Sequence, residues 1–329
     1  MEEGFALWAN PSSPHAEGRK AKAALENARA RVKSALGWEG EVIFTSGASE
    51  SAERAFTYAD VPLQFASAVE HDAVHHHAAY ADCEEIPMLA DGAPDIGWLD
   101  RQVPPARQDD AQAARSLIAL QQVNSETGTV LETLPVYALA QERGGYLLCD
   151  CSQAAGKLKL PECDMALFSA HKFGAPVGIG ALLVKDFQLL KASGGHERGY
   201  RRGTENLPGA LGMAAALEAG EWATSPRQRA EFAEALGEHR LKLGRQVDYI
   251  IALSHPTMSA QALLIRLDAM GFAVSAGSAC SSGTLKKSRV LDAFGVPDDV
   301  ASRTIRVSLG WSTTPGELER FAEAWNSIA

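Results

Sequence analysis

The chain has 329 residues and a formal net charge of -10, with 46% hydrophobic and 22% charged residues, which is ordinary for a soluble globular protein of about two domains. The acidic balance argues against general nucleic-acid binding, which favours a basic surface. No run approaches the roughly 20 apolar residues of a membrane-spanning helix, and the first residues lack a signal peptide's basic region and apolar core, so we expect a cytoplasmic protein that binds neither nucleic acid nor membranes.

Alternating helices and short apolar strands indicate an α/β fold. An Ala-rich helix is predicted over residues 15–36, and Gly37 ends it. The elements that follow are a strand at Val42–Thr45, a helix opened by Gly47, a strand at Gln64–Ala68, a helix at 72–80, a strand at Ser116–Val123, a helix at Leu134–Glu142, and strands at Tyr146–Cys149, Met165–Ser169 and Gly180–Val184. This alternation predicts a mostly parallel sheet with helices on both faces.

The pattern changes after Pro208. A helical stretch rich in Ala, Glu and Leu extends to about Gln246, and strands are predicted at 248–253, 273–275 and 304–308. We therefore predict a large ligand-binding domain at 1–207, including the N-terminal helix, and a smaller α+β domain at 208–329.

The cysteines and histidines do not indicate a disulfide framework or a metal site. Five cysteines, an odd number, are widely spaced: Cys83, Cys149, Cys151, Cys163 and Cys280. Cys149 and Cys151 form a C-x-C pair, but no second Cys/His pair has the spacing of a zinc site. We interpret the pair as small buried hydrophobic residues on one face of a strand.

Asp150 and Lys172 are the first candidates for chemistry. Asp150 lies just past one predicted strand and Lys172 lies in the turn Ser-Ala-His-Lys after another, and ligands of open α/β sheets bind beyond the carboxyl ends of strands. Pyridoxal phosphate (PLP) requires a lysine that forms a Schiff base and a carboxylate that keeps the pyridine nitrogen protonated. Such a pair also arises by chance, so a surface lysine and a turn aspartate are the alternative interpretation.

The turn Ser46-Gly47-Ala48-Ser49 opens a helix after a strand. Its free amides and the positive end of the helix dipole suit a phosphate group. A simple helix cap by Ser46 or Ser49 is the alternative.

Cys280 lies in a segment of glycine, serine and alanine, Val274 to Gly283, unlike the apolar surroundings of a structural cysteine. Flexible segments carry function disproportionately. Lys286, Lys287 and Arg289 follow, and their charges would favour the reactive thiolate. A free surface thiol in a linker is the alternative.

Eight strings carry a resemblance to a known family: FTSGASES, VEHDAV, QVNSETG, DCSQAAGK, SAHK, GGHERGYRRGTEN, SAGSACSSG and IRVSLGWSTT. They occur in the order found in cysteine desulfurases of the NifS/IscS type, in the class V aminotransferase branch of the fold-type I PLP enzymes. The resemblance spans nearly the whole chain, from Asn10 to Thr314, and the cysteine segment is the string that separates desulfurases from aminotransferases of this fold.

The resemblance implies that PLP is held by a defined set of side chains. Lys172 resembles the Schiff-base lysine, Asp150 the partner of the ring nitrogen, Gln153 the residue bonded to the ring hydroxyl, and His71 the histidine that stacks on the ring and assists proton transfer. The positions that match phosphate-binding residues are Gly47, Ala48, Ser49, Ser169, His171 and, reaching from a partner subunit, Thr204. The last of these implies a homodimer.

The resemblance also implies the substrate site. Arg306 resembles the arginine that grips the substrate carboxylate, and Asn10 a substrate-pocket asparagine. Cys280 resembles the sulfur acceptor. It would carry a persulfide taken from L-cysteine, with L-alanine as the other product, and pass the sulfur to an acceptor protein such as those of iron–sulfur cluster assembly.

Three departures from the family pattern stand out. The usual Asn-Asn-Glu reads Asn124-Ser125-Glu126, so the second cofactor contact falls on Ser125, which would reach the cofactor only through water. The turn after Lys172 reads Phe173-Gly-Ala-Pro-Val177, without the usual tyrosine and second lysine. The chain also opens almost at its NPSS string, which leaves two alternatives: part of the site wall is missing, or the sequence is incomplete.

Two other functions stay open at this point. The first is another class V PLP enzyme, either an aminotransferase, which would not need Cys280, or a selenocysteine lyase, which uses the same residues. The second is a desulfurase-like scaffold without activity that binds iron–sulfur assembly proteins.

Overall fold

The computed structural model describes residues 1–80, 83–105, 115–277 and 287–329, apart from the side chain of Tyr80. The described helices are α1 (Glu2–Ala6), α2 (Ala16–Leu36), α3 (Ala48–Tyr58), α4 (Asp72–Tyr80), α5 (Ile96–Gln102), α6 (Leu134–Glu142), α7 (Leu207–Ala219), α8 (Pro226–Ala235), α9 (Ala260–Ala269), α10 (Arg289–Ala293), α11 (Asp298–Ala301) and α12 (Pro315–Asn326). The described strands are β1 (Glu41–Thr45), β2 (Leu63–Ser67), β3 (Glu84–Ile86), β4 (Ser116–Gln121), β5 (Tyr146–Asp150), β6 (Met165–Ser169), β7 (Gly180–Val184), β8 (Ile250–Ser254) and β9 (Thr304–Ser308).

A seven-stranded sheet, in the order β1-β7-β6-β5-β4-β2-β3, forms the centre of the first of two compact units. Only β7 runs antiparallel to its neighbours, β1 and β6, and the other pairs are parallel. Strands β4, β6 and β7 are almost entirely apolar and are buried along their whole length, as expected when helices cover both faces of a sheet. The predicted α/β class with a mostly parallel sheet is confirmed.

The contact-based units differ in detail from the predicted domains. The first comprises Met1–Ile86, Ile96–Gln122 and Glu132–Gly220, and the second comprises Pro87–Asp95, Val123–Leu131 and Glu221–Ala329. Helix α7 belongs to the first unit because it packs along α2, so the division falls at 220 rather than 207. Two short segments from earlier in the chain join the second unit, a long-range arrangement that local sequence patterns do not encode.

The second unit contains an antiparallel pair of strands, β8 and β9, in which Ala252 lies opposite Arg306. The predicted strand at 273–275 is wrong, because Ser275 makes only a single bridge to Arg306. The predicted helical stretch to about Gln246 is too long, because α8 ends at Ala235.

Local signals explain several boundaries. Gly37 ends α2 in the left-handed conformation at φ +63°, as its position predicts, and the His15 imidazole caps the other end by accepting a hydrogen bond from the Gly18 amide at 3.1 Å. Within the described ranges, the longest and most apolar helices still fall short of what a bilayer crossing requires.

Candidate active site

The predicted phosphate turn lies where three strands meet. Thr45 at the end of β1 and Ser169 at the end of β6 both pair with Gly180 at the start of β7. A Cβ atom on Gly180 would stand 2.6 Å from the Gly47 Cα, so only glycine permits this approach. The Ala48 amide, at the start of α3, donates to the Ser169 Oγ at 3.3 Å. The turn and Ser169 thus form one cradle of small residues at a helix N-terminus.

Asp150 and Lys172 emerge from the ends of neighbouring parallel strands. Asp150 is the last residue of β5, is buried, and lies opposite Leu167 of β6. Its Oδ1 accepts a hydrogen bond from the Ser152 amide at 2.8 Å. Lys172 is exposed in the single 3-10 turn that follows β6, and Gln153 is half-buried just after Asp150. The amine and the carboxylate therefore leave the same edge of the sheet.

Two histidines share the neighbourhood of Lys172. His71 is half-buried at the start of α4, where its Nδ1 accepts a hydrogen bond from the Ala73 amide at 3.1 Å. Burial lowers the pKa of His171, and the charges of Lys172 and His71 lower it further. Because their charges affect the pKa of His171, the His71 imidazole and the Lys172 amine lie within electrostatic reach of the His171 ring.

Lys157 was not predicted as a site residue. It ends the DCSQAAGK string, in the turn after β5. Burial, followed by the positive charge of Lys172, lowers the pKa of Lys157 from 10.5 to about 8. Its place in that string was the only signal available in the sequence. The lowered pKa of Lys157 depends on burial and on Lys172, which lies in the turn after another strand.

Three other predicted residues lie at the surface of the first unit. Ser49 is exposed in the first turn of α3, and its backbone is hydrogen-bonded to His77. Asn10 is exposed in a turn ahead of α2, where its Oδ1 accepts a hydrogen bond from the Ser12 amide at 2.9 Å. Thr204 is exposed on the loop between β7 and α7.

Arg306 and Ser125 lie together in the second unit. Arg306 Nη1 donates to the Ser125 carbonyl oxygen at 2.9 Å, while its Nε is buried and, among the described residues, has no hydrogen-bond partner. Burial lowers the pKa of Arg306, partly offset by the charge of Glu126. The guanidinium thus keeps donors available for an anionic ligand. Ser125 contributes its backbone to this contact.

Cys280 lies outside the described residues, so its predicted role is carried by the sequence. Lys287 beside that segment is paired with both Asp292 at 2.5 Å and Asp298 at 2.7 Å. These carboxylates offset part of its positive charge, and its effect on the Cys280 thiol stays a prediction.

The residues of the first unit fit PLP. The cradle of small residues at the N-terminus of α3 suits a phosphate group, the buried Asp150 carboxylate suits a protonated pyridine nitrogen, and the exposed Lys172 amine suits the aldehyde. Among the residues that the structure describes, no three side chains of His, Cys, Asp or Glu group together as metal ligands. The fold and this residue set define a PLP-dependent enzyme of fold type I.

Comparison with known proteins supports the assignment to the PLP-dependent enzymes of fold type I. Residues 5–321 match the family model "Aminotransferase class-V", and the chain belongs to that family. A cysteine desulfurase from Cereibacter sphaeroides is 34% identical, with 95% of this chain and 87% of the relative covered. A NifS-like protein from Rickettsia africae is similar in structure, with a TM-score of 0.85, 25% identity, and 99% and 94% of the two chains covered. SspA in complex with cysteine has a TM-score of 0.80 at 26% identity, covering 95% and 96%. The resemblance to NifS-type proteins is therefore confirmed.

Proposed function

We propose that this chain is a PLP-dependent cysteine desulfurase that converts L-cysteine to L-alanine and transfers the sulfur to Cys280. The observation that supports this most directly is the emergence of Lys172 and Asp150 from adjacent strand ends beside the cradle formed by Gly47, Ala48 and Ser169. Desulfurase relatives that cover nearly the whole chain support the choice of reaction within the family.

The cofactor would be held by the residues at this sheet edge. Lys172 would link to it covalently, the Asp150 carboxylate would keep a proton on the ring nitrogen, and Gln153 would bond the ring hydroxyl. His71 would cover the ring, and Ser125 would contact the cofactor through water. The phosphate would bind at Gly47, Ala48, Ser49, Ser169 and His171. When bound, PLP supplies an electron sink that makes the Cα proton of an amino acid removable.

The protein's own groups then have defined tasks. Arg306 would bind the substrate carboxylate with the donors left after its bond to the Ser125 carbonyl, and Asn10 would border the substrate. The Lys172 amine, in its unprotonated form, would take the Cα proton. His71, whose Nδ1 is occupied by the Ala73 amide, would use Nε2 to take the proton from the substrate thiol.

The sulfur transfer balances without an added oxidant. The Cys280 thiolate forms a bond to the substrate sulfur while the bond from that sulfur to Cβ breaks. The electron pair of the broken bond stays on carbon, which takes up a proton to become the methyl group of alanine. Cys280 is left with a persulfide, which a second thiol can accept.

The protein would act as a dimer and would pass its sulfur to a second protein. Thr204 would reach the phosphate of a partner subunit, so the active form would be a homodimer. The acceptor would be a protein of iron–sulfur cluster assembly or a similar thiol carrier in the cytoplasm. The exposure of Thr204 on its loop supports the first of these statements.

The test is a comparison of products and variants. The PLP-loaded protein, given L-cysteine and a reducing thiol, should release equal amounts of sulfide and alanine. Lys172→Ala should lose the visible absorbance of lysine-linked PLP, and Cys280→Ala should keep that absorbance but lose sulfide release. Cys83→Ala is the matched control, because burial raises the pKa of Cys83 to about 12 and it should stay active. A keto acid in place of alanine, or full turnover by Cys280→Ala, would contradict the proposal.

A further inference from the structure

A single carboxylate in the first unit joins two loops that the proposed function assigns to different active sites. Glu50, in the first turn of α3, accepts from the Ser46 amide at 2.7 Å through Oε2 and from Arg54 Nε at 3.1 Å through Oε1. Arg201 adds a two-pronged contact, with Nε to Oε1 at 2.9 Å and Nη2 to Oε2 at 3.3 Å. Both oxygens therefore have two donors each.

This cluster differs from an ordinary surface ion pair. The side chains of Glu50, Arg54 and Arg201 are only 16%, 12% and 18% exposed. Burial alone would raise the pKa of Glu50, but the bonds from Arg201 and the Ser46 amide outweigh it and lower the pKa to about 2. Glu50 is thus a permanent anion in the neutral range, and its contacts are worth more than those of an exposed pair.

One side of the cluster is the phosphate turn. The Ser46 amide bound by Glu50 immediately precedes Gly47 and Ala48, whose backbone forms the cradle against Ser169. Fixing this amide fixes the direction in which the next amides point.

The other side of the cluster is the loop that presents Thr204. Arg201 also donates through Nη1 to the Gly203 carbonyl at 3.3 Å, and its backbone is paired with His196. On the other side of Thr204, the buried Glu205 contacts the His196 ring at 3.2 Å. Thr204 is therefore an exposed residue held between two anchored neighbours.

We infer that Glu50 is a positioning residue that fixes, with one carboxylate, both the phosphate turn of its own subunit and the Thr204 loop that serves the partner subunit. This inference rests on the proposed homodimer and on the proposed roles of Lys172 and Thr204. It predicts that substituting Glu50 in one subunit weakens cofactor binding at both active sites of the dimer. The second of these sites lies in the subunit whose own sequence is unaltered.

The experiment uses mixed dimers isolated with two affinity tags. A Lys172→Ala subunit cannot link PLP, so lysine-linked absorbance reports only the other subunit. In the cis dimer, Glu50→Gln is placed in the subunit that keeps Lys172. In the trans dimer, it is placed in the Lys172→Ala subunit. The measurement is the dissociation constant of PLP from absorbance titration, which does not depend on turnover.

We expect PLP affinity to fall about 10-fold in the cis dimer and about 3- to 10-fold in the trans dimer, the range for a lost or displaced charge-assisted hydrogen bond. Glu53→Gln, which makes the same change at an exposed position of α3, should alter affinity less than about 2-fold in either dimer. In the Lys172→Ala subunit of the trans dimer, Thr204→Ala alone should weaken PLP binding to a similar extent. Adding Glu50→Gln to Thr204→Ala in that subunit should weaken PLP binding no further.

The outcomes separate the inference from the proposed function. An unchanged trans dimer would overturn the shared positioning role, and so would additive effects of Glu50→Gln and Thr204→Ala. If Glu50→Gln fails to assemble, Arg201→Lys, which keeps the charge but loses the planar fork, tests the same link and should reproduce the trans effect. If the dimer with unaltered Glu50 carries no lysine-linked PLP, the assignment of Lys172 has failed, and with it both proposals.

Discussion

Lys157 and Lys172 lie within electrostatic reach of each other, although they follow different strands. Burial and the charge of Lys172 lower the pKa of Lys157 to about 8. Below this pH the folded protein holds a proton that it binds more weakly than the unfolded chain does. The protonated amine therefore lowers the free energy of unfolding.

Lys157→Met should raise the free energy of unfolding of the cofactor-free protein by about 1–3 kcal/mol at pH 7. Between pH 8 and 10.5 the folded protein releases this proton while the unfolded chain keeps it, so the stability of the unaltered protein rises and the gain from the substitution shrinks. Urea unfolding across this pH range measures both effects. Lys159→Met, at an exposed position two residues further on, is the control. A gain at pH 7 that persists undiminished at pH 10.5 would contradict this account.

Arg306 should discriminate substrates by their carboxylate. Arg306→Lys keeps a positive charge but loses the planar fork, so we expect kcat/KM for L-cysteine to fall by about 100-fold. Cysteamine lacks the carboxylate, so its kcat/KM should change little. The measurement is the ratio of the two values in each variant. Arg303→Lys is the control, because Arg303 pairs with the exposed Asp299 at 2.9 Å. An equal loss for both substrates would indicate a structural defect instead.

Three of the four described thiols, those of Cys83, Cys149 and Cys151, should be inert in the folded protein. Burial raises the pKa of Cys83 to about 12 and that of Cys149 and Cys151 well above the usual value. At pH 8 only about one in ten thousand Cys83 thiols is ionised. Alkylation of the native protein, followed by mass spectrometry, should therefore modify Cys280 and leave these three unmodified. Unfolded protein should react at all five cysteines. Rapid native labelling of a Cys280→Ser variant would contradict the prediction.

The sequence predicts most of the sheet but not the connections between its loops. The strand Met165–Ser169 is predicted with the bounds that the structure has, because a short apolar run between polar turns has few alternatives. The three-residue strand Glu84–Ile86 is too short and too polar to give a periodic signal. Glu50 and Arg201 are 151 residues apart, and nothing local to either residue reveals that they form an ion pair. Lys172 and Asp150 are predicted to lie at strand ends, and the structure places them there, because short apolar runs mark the strands before them.

Gly180 should tolerate no side chain. A Cβ atom there would stand 2.6 Å from both the Gly47 Cα and the Phe168 carbonyl oxygen, which are backbone atoms that cannot rotate away. Gly180→Ala should lower the free energy of unfolding by about 1–3 kcal/mol and weaken PLP binding, because β7 must move away from the phosphate turn. Chemical unfolding and PLP titration measure the two effects. Gly316→Ala is the control, since the nearest atom is the flexible Arg320 Nη1 at 3.7 Å. Wild-type PLP affinity in Gly180→Ala would contradict the expected dependence of PLP binding on this close approach.

The buried ion pair of Arg29 and Glu197 should be far more sensitive to truncation than an exposed pair. Arg29 Nη1 donates to Glu197 Oε2 at 2.8 Å, and the same oxygen accepts the Phe44 amide at 2.9 Å. The two side chains are 4% and 1% exposed. Arg29→Met leaves a buried carboxylate without its counter-ion, so the free energy of unfolding should fall by about 3–5 kcal/mol.

The exposed pair of Lys20 and Glu17 is the control for this effect. Its atoms lie 3.0 Å apart with side chains 63% and 67% exposed, and Lys20→Met should change stability by less than about 0.5 kcal/mol. Adding Glu197→Gln to Arg29→Met removes the unpaired charge but keeps an acceptor for the Phe44 amide, so the double variant should recover part of the loss. Urea unfolding of the four-member cycle measures the coupling. If the two substitutions simply add, the destabilisation arises from lost packing of the arginine and not from the stranded charge.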